Sequence, residues 1–287
     1  MGGGALPGSE AERSPDYVLI GHITEDLVGD APGRLGGSVL YCAITALRLG
    51  RMVGVVTACA EDVQLPAELD EADLRYAGRD RTTTFSIESG GSTRALRLVR
   101  RAPDIAESLI PPKWLEAPIV HLAPVMQEVP PSLALHWRPG LGVATPQGWL
   151  RRSIPPWGEV IADLTALPQV CAGDFGALIL SSDDLEGRDD LVEEMAQICP
   201  LVVLTRAEQG CTVYDGGKAT HVRARPIDAV DSVGAGDVFA TAFAVRLQET
   251  ADPVASAHYA NCAAGLSVLG VGFTGIPNHD EILAALS

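Results

Sequence analysis

Short apolar runs, separated by helical or loop segments, constrain the fold of this chain more than any other feature of its sequence. The run YVLIGHI at 17–23 is apolar almost throughout, as expected of a strand that is buried on both faces. Apolar residues at helical spacing follow between 40 and 47, Gly50 suits the end of that helix, and another strand-like run occupies 52–58. Strands that alternate with helices predict an α/β fold, a doubly wound and mainly parallel sheet flanked by helices. Similar runs recur at 118–125, 140–146, 177–180 and 201–205.

Two segments have a different pattern. In 81–102, polar residues alternate with β-forming ones on both sides of Gly90-Gly91, which predicts a half-exposed antiparallel hairpin outside the parallel sheet. The segment 211–224 predicts a second hairpin, with Asp215-Gly216 in its turn. Helices are predicted at about 237–249 and 253–269, followed by a last helix capped by Asn278 with Glu281 three residues on.

Length and charge narrow the class of protein. The opening segment lacks the charged start and apolar core of a signal peptide, so we expect a disordered leader over 1–16. The rest of the 287 residues has no evident linker, so we expect a single domain over 17–287. With 37 acidic against 21 basic residues the net charge is −16, which argues against nucleic acid or an anionic membrane as a partner. No apolar run approaches the ~20 residues of a membrane span. The six scattered cysteines, without a Cys-x-x-Cys pair, are typical of reduced thiols in a cytoplasmic protein.

The stretch DSVGAGDVF at 231–239 combines small residues with acids just before a long apolar helix. A helix that starts near Gly234 has free N–H groups and a positive dipole end, which together attract an anion. Asp237 would repel that anion, unless its carboxylate accepts a proton from a nucleophile that attacks a phosphate. The simpler alternative is a helix cap beside a glycine turn. A dinucleotide-binding motif is excluded because Phe239 holds the place of its third glycine, and no Walker A sequence occurs.

The stretch Asp231-Ser232-Val233-Gly234-Ala235-Gly236-Asp237 resembles the signature of the ribokinase-like (PfkB) carbohydrate kinases, Asp-Thr-Thr-Gly-Ala-Gly-Asp. The segments 21–28, 33–50 and 202–214 are similar to further landmarks of that family, in the family's order. The resemblance implies a kinase that uses ATP and Mg²⁺, with K⁺ as an open addition. It also implies a small β-lid, formed by about 24–36 and 81–102, that closes over the acceptor and excludes water.

The resemblance also implies roles for individual residues. Asp237 would be the catalytic base, and Gly234, Ala235 and Gly236 would form the anion hole for the transferred phosphoryl group. The implied substrate-binding residues are Asp26, Gly36, Gly37 and Tyr41. The implied nucleotide-binding residues are Thr205, Arg206, Gly210, Gly236 and Asn261. Asp183 and Glu186 would organise Mg²⁺ through water, and Asp231 would begin a loop that binds a monovalent cation.

Several positions depart from the family pattern. Tyr41 replaces an asparagine, and it is either a substrate contact or a helix residue packed under the lid. Asp183 stands for the asparagine of Asn-x-x-Glu, so the acidic stretch around it is either a metal site or a solvated helix start. Ser232-Val233 in place of Thr-Thr leaves the monovalent cation open, and Arg206 faces either the ATP phosphates or solvent.

The phosphate acceptor is expected to be a small sugar or cyclitol, with myo-inositol as first candidate. Asp26 follows a predicted strand, where a carboxylate can accept hydrogen bonds from two adjacent hydroxyls, and Tyr41 adds an aromatic face. The stretches 144–152 and 81–85 resemble bacterial inositol kinases. A nucleoside or pentose kinase is the alternative, and a binding or regulatory protein that has lost catalysis is the second. The oligomeric state is left open between a monomer and a homodimer.

Overall fold

The computed structural model describes residues 14–29, 31–90, 93–135, 140–155 and 158–287. Most of the predicted leader, and Gly91 of the predicted hairpin turn, lie outside these ranges. The described strands, β1 to β15, are Tyr17–Ile20, Thr24–Val28, Arg34–Gly36, Val53–Thr57, Asp73–Tyr76, Thr83–Gly90, Thr93–Arg100, Ile119–Leu122, Leu141–Ala144, Arg151–Ile154, Glu159–Ala162, Ala177–Ser181, Leu201–Thr205, Cys211–Asp215 and Lys218–Val222. The described α-helices, α1 to α6, are Ser38–Arg48, Leu167–Cys171, Leu191–Ile198, Ala235–Thr250, Pro253–Ser267 and His279–Leu286.

The larger of the two sheets has nine strands within the described residues, in the order β15-β14-β13-β12-β9-β8-β1-β4-β5. The strands from β13 to β5 pair in parallel, and only the pairs β13–β14 and β14–β15 at one end are antiparallel. Every residue of β1, β4 and β8 is buried, because helices cover both faces of the sheet. The predicted fold class, a mainly parallel α/β sheet flanked by helices, is therefore confirmed.

Helices α1 and α4 pack side by side on one face of the large sheet, and α5 packs against α4. Their buried side chains include Phe239 and Phe243, whose ring centroids lie 6.1 Å apart. A separate apolar core on the opposite face includes residues of α2 and α3. The last helix has the predicted capping box, in which Asn278 and Glu281 satisfy each other's backbone N–H groups.

A second sheet has the strand order β10-β11-β7-β6-β2-β3. The predicted hairpin is present as β6 and β7, which pair antiparallel, and β2 joins β6 in parallel register. Strands β10 and β11, at 151–162, were not predicted from the sequence. They are only half-buried, so their residues lack the apolar run of the central strands.

The carboxylate of Glu128 stabilises the chain where the second sheet leaves the first. Glu128 is 1% exposed and accepts hydrogen bonds from the backbone N–H groups of His22, Val125 and Met126, at 3.1, 2.9 and 2.7 Å. These N–H groups lie just beyond the ends of β1 and β8, where the strands diverge and sheet hydrogen bonds cease. A buried carboxylate thus satisfies backbone donors that would otherwise lack partners.

The ring of His22 ties the same point to the start of β6. Its Nδ1 lies 2.9 Å from Thr83 Oγ1 and its Nε2 lies 2.9 Å from the carbonyl oxygen of Pro103. Burial lowers the pKa of His22, so the ring is neutral: Nε2–H donates to Pro103 and Nδ1 accepts from Thr83. The Thr83 oxygen in turn accepts from the N–H of Ala102, at 3.0 Å. Both ends of the β6–β7 hairpin are therefore fixed to one buried histidine.

In the described ranges, no helix is both long and apolar enough to cross a membrane. All six cysteines lie within those ranges, and each is a free thiol.

Candidate active site

A cleft of about 940 Å³ lies between the two sheets, at the carboxyl ends of the parallel strands. The loops after β8, β9, β12 and β13 form one wall, and β2, β6, β7 and β10 of the second sheet form the other. The amino ends of α1 and α4 form its floor. Open parallel sheets bind ligands in this position, where the loops of neighbouring strands part.

The signature loop places the start of α4 in this cleft. Gly234 precedes the helix in a left-handed conformation with φ +79°, which a residue with a side chain rarely adopts. The first N–H groups of the helix lack partners within it. Apart from the adjacent residues and the backbone of α4 itself, no atom of the described chain lies within 4 Å of where Gly236 would carry a Cβ, so the backbone there is open to a ligand. Open helix starts of this kind are able to bind an anion, so the predicted role of Gly234, Ala235 and Gly236 stays a prediction that this geometry permits.

Tyr41 supports this loop from below. A Cβ built on Gly234 would lie 2.1 Å from Cδ1 of Tyr41, so the ring leaves room for glycine alone. Tyr41 is 3% exposed, and its ring centroid lies 4.6 Å from that of Phe273. Burial is the main reason that the pKa of Tyr41 is raised to about 12. Tyr41 thus packs beneath the anion site while an edge of it lines the cleft.

Asp237 lies in the first turn of α4 and lines the cleft. Burial raises its pKa from an ordinary 3.8 to about 7. A hydrogen bond with Ser38 lowers that pKa, the negative charge of Asp184 raises it, and the positive charge of Arg151 lowers it. A carboxyl group with a pKa near neutrality can accept a proton from a hydroxyl and release it afterwards, as general-base catalysis requires.

A second helix amino terminus faces the same space. Ser38 is the first residue of α1, after Gly37 with φ +93°. A Cβ on Gly37 would lie 2.5 Å from the carbonyl oxygen of His22, so this approach of α1 to the end of β1 also requires glycine. The positive ends of α1 and α4 therefore converge on the cleft floor, where they favour bound negative charge.

Asp26 lies at the other end of the cleft, on β2 of the second sheet. A Cβ on Gly36 would lie 3.0 Å from Oδ2 of Asp26, so the glycine keeps that carboxylate accessible. Burial raises the pKa of Asp26, and the positive charges of Arg34 and Arg151 lower it. The apolar side chains around Asp26 come mainly from the second sheet: Phe85, Ile87 and Leu96.

Arg151, on β10, is the notable residue that the sequence did not single out. It lines the cleft, and the charges of Asp184, Asp237 and Asp26 all raise its pKa, although burial lowers it more. Over the ranges that the structure describes, its guanidinium forms no ion pair within 4.0 Å. A largely buried guanidinium near three carboxylates, paired with none of them, is suited to bind an anion such as a phosphoryl group.

The carboxyl ends of β12 and β13 supply the remaining wall. Asp183 and Asp184 follow β12 and line the cleft. The carboxylate of Asp184 is held in place, because it accepts hydrogen bonds from Nε2 of Gln147 at 3.0 Å and from the N–H of Ser181 at 2.9 Å. Two adjacent carboxylates at a strand end suit a divalent cation that keeps most of its water.

Thr205 and Arg206 follow β13 and also line the cleft. The guanidinium of Arg206 has protein partners: Nε donates to Asp189 at 2.8 Å and an Nη donates to Thr212 at 2.7 Å. The sequence left open whether Arg206 faces the ATP phosphates or solvent, and the guanidinium instead binds two side chains of the protein. The side chain connects β14 to the start of α3.

Four predicted site residues do not line this cleft. Gly210 and Asn261 both contact Val222, whose carbonyl oxygen accepts a hydrogen bond from Nδ2 of Asn261 at 3.0 Å. Glu186 is exposed, in a left-handed conformation just after Asp183–Leu185. Asp231 lies beside the cleft and binds an arginine. The roles proposed for these residues stay predictions.

Ser38, Gln147, Arg151 and Asp184 are cleft residues that sequence reasoning passed over. Each lies in or next to a segment that the sequence analysis considered. Ser38 follows Gly36-Gly37 and Asp184 follows Asp183, whereas Gln147 and Arg151 belong to the segment 144–152. The available signal was therefore adjacency to a motif, without an indication of which side chain faces the ligand.

A cleft at the carboxyl edge of a parallel sheet, covered by a small second sheet and floored by a glycine-rich helix start with an aspartate, is the arrangement expected of a ribokinase-like fold. Residues 158–279 match the family model "pfkB family carbohydrate kinase". The match spans less than half of the chain, and over that part the chain resembles the ribokinase-like PfkB family of carbohydrate kinases.

Known proteins of this kind resemble the chain to different extents. A fructokinase of Klebsiella pneumoniae is 24% identical over 93% of this chain and 98% of its own length. The ribokinase of Bacillus subtilis is 38% identical, but the match spans only 33% of either chain. Among solved structures, a pyrophosphate-dependent myo-inositol-1 kinase converted into a myo-inositol-3 kinase aligns over 94% of this chain and 98% of its own, with a TM-score of 0.77 and 22% identity.

Proposed function

We propose that this protein is a kinase that transfers the γ-phosphoryl group of ATP to a hydroxyl of a small cyclitol or sugar, with myo-inositol as the first candidate. One observation carries the proposal: Asp237, whose pKa is about 7, lies beside an open helix start in the same cleft as the accessible carboxylate of Asp26. The first group can accept a proton, the helix start can bind a phosphoryl group, and the second can hold acceptor hydroxyls.

The transfer needs few covalent steps. The acceptor oxygen forms a bond to the γ-phosphorus, the bond from that phosphorus to the ADP oxygen breaks, and the proton of the hydroxyl passes to Asp237. The N–H groups at Gly234–Gly236 and the guanidinium of Arg151 stabilise the negative charge on the phosphoryl oxygens. Asp26 orients the acceptor so that one hydroxyl faces Asp237.

Mg²⁺ is proposed to bind on the Asp183 and Asp184 side of the cleft. Kinases of this family use ATP and Mg²⁺. Within the described ranges no cluster of three or more His, Cys, Asp or Glu side chains could enclose a metal, which fits an ion held by one or two carboxylates, water and phosphate. Bound Mg²⁺ would neutralise phosphate charge. Activity should vanish with EDTA and return with Mg²⁺.

The second sheet is proposed to act as a lid over a single catalytic domain. Its described strands are β2 and β3 in the predicted segment 24–36, β6 and β7 in the predicted segment 81–102, and β10 and β11. Its hairpin is fixed at both ends by His22, so its closure would pivot there. Closure would bring Asp26 and Arg151 onto the acceptor and exclude water that would otherwise compete for the phosphoryl group.

A compact ring with apolar C–H faces suits the acceptor end of the cleft. Phe85, Ile87 and Leu96 offer apolar contacts, whereas Asp26 and Asp237 offer hydrogen-bond acceptors to hydroxyls. The fold similarity to a myo-inositol kinase supports the same choice. A pentose, another sugar or a nucleoside is the alternative, supported by the similarity to ribokinase and fructokinase.

Pyrophosphate is a second candidate for the phosphoryl donor. Asn261, which was expected near the adenine, donates instead to Val222 and does not line the cleft. The solved myo-inositol kinase to which this fold is similar depends on pyrophosphate. A donor without a nucleoside would need only the helix start, Arg151 and the metal.

The test is phosphate transfer from ATP or pyrophosphate, with Mg²⁺, to myo-inositol, ribose, fructose and adenosine, with Asp237→Asn as the inactive control. We expect the fastest transfer from ATP to myo-inositol. Transfer to ribose or adenosine but to no cyclitol would contradict the acceptor, and transfer from pyrophosphate alone would contradict the donor. Failure of every pair would favour a binding protein that has lost catalysis.

A further inference from the structure

The carboxylate of Asp231, which begins the signature loop, accepts three hydrogen bonds, two of them on one oxygen. Its Oδ1 accepts from the N–H of Val233 at 3.1 Å, and its Oδ2 accepts from the N–H of Gly272 at 3.1 Å and from an Nη of Arg34 at 2.8 Å. The side chain of Asp231 is 13% exposed, against 50% for that of Arg34. A carboxylate oxygen accepts about two hydrogen bonds, so Oδ2 has no lone pair left for another ligand.

Arg34 reaches this loop from the other sheet. It lies on β3, directly opposite Asp26 in the β2–β3 register, yet its guanidinium binds Asp231 in the loop before α4. The same Nη lies 3.9 Å from where Gly272 would carry a Cβ, so it sits between the two backbone segments that flank the carboxylate. A positive charge therefore lies beside the start of the signature loop.

These residues do not fit a monovalent cation bound to Asp231. Oδ2 already accepts two hydrogen bonds, so such an ion would be left with the remaining lone pair of Oδ1, where it would lie near a guanidinium of like charge. Arginine is charged at every accessible pH, so the repulsion cannot be relieved by loss of a proton. The resemblance that implies K⁺ here and the contacts of Arg34 thus disagree.

We propose that the guanidinium of Arg34 takes the place of a monovalent cation beside the signature loop, so that this protein functions without K⁺. Arg34 is a positioning residue. It holds Asp231, whose Oδ1 fixes the N–H of Val233, and the loop then continues through Ser232, whose carbonyl accepts from Ala235 at 3.3 Å. The part of this inference that concerns activity rests on the proposed kinase function, whereas cation binding itself does not.

The test compares wild type, Arg34→Met, Arg34→Lys and the matched control Arg152→Met. Arg152 also belongs to the second sheet, and it forms an ion pair with Asp163 at 3.3 Å with its side chain 52% exposed. The melting temperature and kcat/KM are measured in KCl, NaCl and tetramethylammonium chloride at equal ionic strength. Tetramethylammonium supplies charge and ionic strength but is too large to replace a bound K⁺.

We expect that wild type, Arg34→Lys and Arg152→Met will each have a melting temperature and an activity that do not change between the three salts. In tetramethylammonium, Arg34→Met should lose about 10-fold in kcat/KM, since the anion hole is less well positioned. K⁺ should restore most of that activity and should raise the melting temperature of this variant alone, because a ligand that binds the folded state stabilises it.

Three results would overturn the inference. One is specific stabilisation or activation of the wild type by K⁺ over tetramethylammonium. Another is an Arg34→Met variant whose melting temperature and activity do not change with K⁺. The third is an Arg152→Met variant that gains melting temperature and activity in K⁺ as Arg34→Met is expected to do. If the protein transfers phosphate to no acceptor, the proposed function fails, but the melting temperatures in the three salts still decide whether Arg34 replaces the ion. If Arg34→Met does not fold, the wild-type comparison decides it.

Discussion

Replacing Asp237 by Asn should make the protein more stable and nearly inactive at the same time. Asn keeps the size of the side chain and can still accept a hydrogen bond from Ser38, but it cannot take up a proton. Turnover should fall by about 10²–10⁴, the usual contribution of a general base. The gain in stability follows from the pKa of Asp237, which burial raises from 3.8 to about 7.

The sign and size of that gain follow from linkage between proton binding and folding. The folded protein holds the proton of Asp237 more tightly than the unfolded chain, so ionisation opposes folding. The cost is absent below pH 3.8, grows as the pH rises, and is complete above the folded pKa of about 7. At about 1.4 kcal/mol per pH unit, the full cost is about 4 kcal/mol. Between pH 5 and pH 8 the part that develops is about 2–3 kcal/mol, and Asn carries none of it.

Urea denaturation of both proteins at pH 5 and pH 8 measures this difference. The stability of Asp237→Asn relative to wild type should be greater by about 2–3 kcal/mol at pH 8 than at pH 5. Asp163→Asn is the control, because hydrogen bonds from Thr165 lower the pKa of Asp163 and its replacement should not stabilise the protein at pH 8.

The reasoning fails if Asp237→Asn is no more stable than wild type at pH 8, or if its advantage is the same at both pH values. Either result would mean that Asp237 ionises in the folded protein as easily as in the unfolded chain. A variant within a few-fold of wild-type turnover would instead contradict the assignment of Asp237 as the base.

Three further predictions concern the floor and the acceptor end of the cleft. Ser38→Ala removes the hydrogen bond that lowers the pKa of Asp237, so the acidic limb of the kcat/KM profile should move to higher pH by about one unit; a limb that stays in place would show that the bond does not act on the base. Gly234→Ala should cost at least about 10²-fold in turnover, since the new methyl group meets Tyr41 and the backbone is left-handed; near-normal turnover would show that the loop is not the anion hole. Asp26→Ala should lower kcat/KM for the true acceptor by about 10²-fold or more without weakening donor binding, and an equal loss for both substrates would place Asp26 outside the acceptor site.

The parallel sheet could be predicted because its signal is local. Central strands buried on both faces are apolar throughout. The starts of α4 and α6 are marked by Gly234 and by the capping pair Asn278 and Glu281, residue types that favour helix starts. Strands β10 and β11 gave no such signal, because they are half-buried and pair with each other and with the hairpin only in the folded chain. The pattern of each strand by itself was too weak to separate it from a loop.

The candidate site also combines residues that local sequence patterns predict with contacts that only the folded chain shows. Asp237, Asp26 and the glycines at 36, 37, 234 and 236 lie in segments that stand out in the sequence, and the structure places them in one cleft. The ion pair between Arg34 and Asp231 joins residues 197 positions apart, and the approach of Arg151 to three carboxylates depends on where the second sheet sits. Relations of this kind exist only once both sheets are assembled.

Under the proposed kinase function, the contact between Tyr41 and Gly234 sets the order in which positions around the cleft could be varied by laboratory evolution. Position 41 can be changed first, because a smaller residue there introduces no clash with Gly234, although it removes the ring that supports the loop. Position 234 cannot follow, since even an empty position 41 would relieve only the clash at 2.1 Å and not the left-handed backbone at φ +79°. A library that varies both positions would therefore spend most of its members on inactive proteins. One that holds glycine at 234 and varies 41 together with the apolar lid residues would explore new acceptors on an intact phosphoryl site.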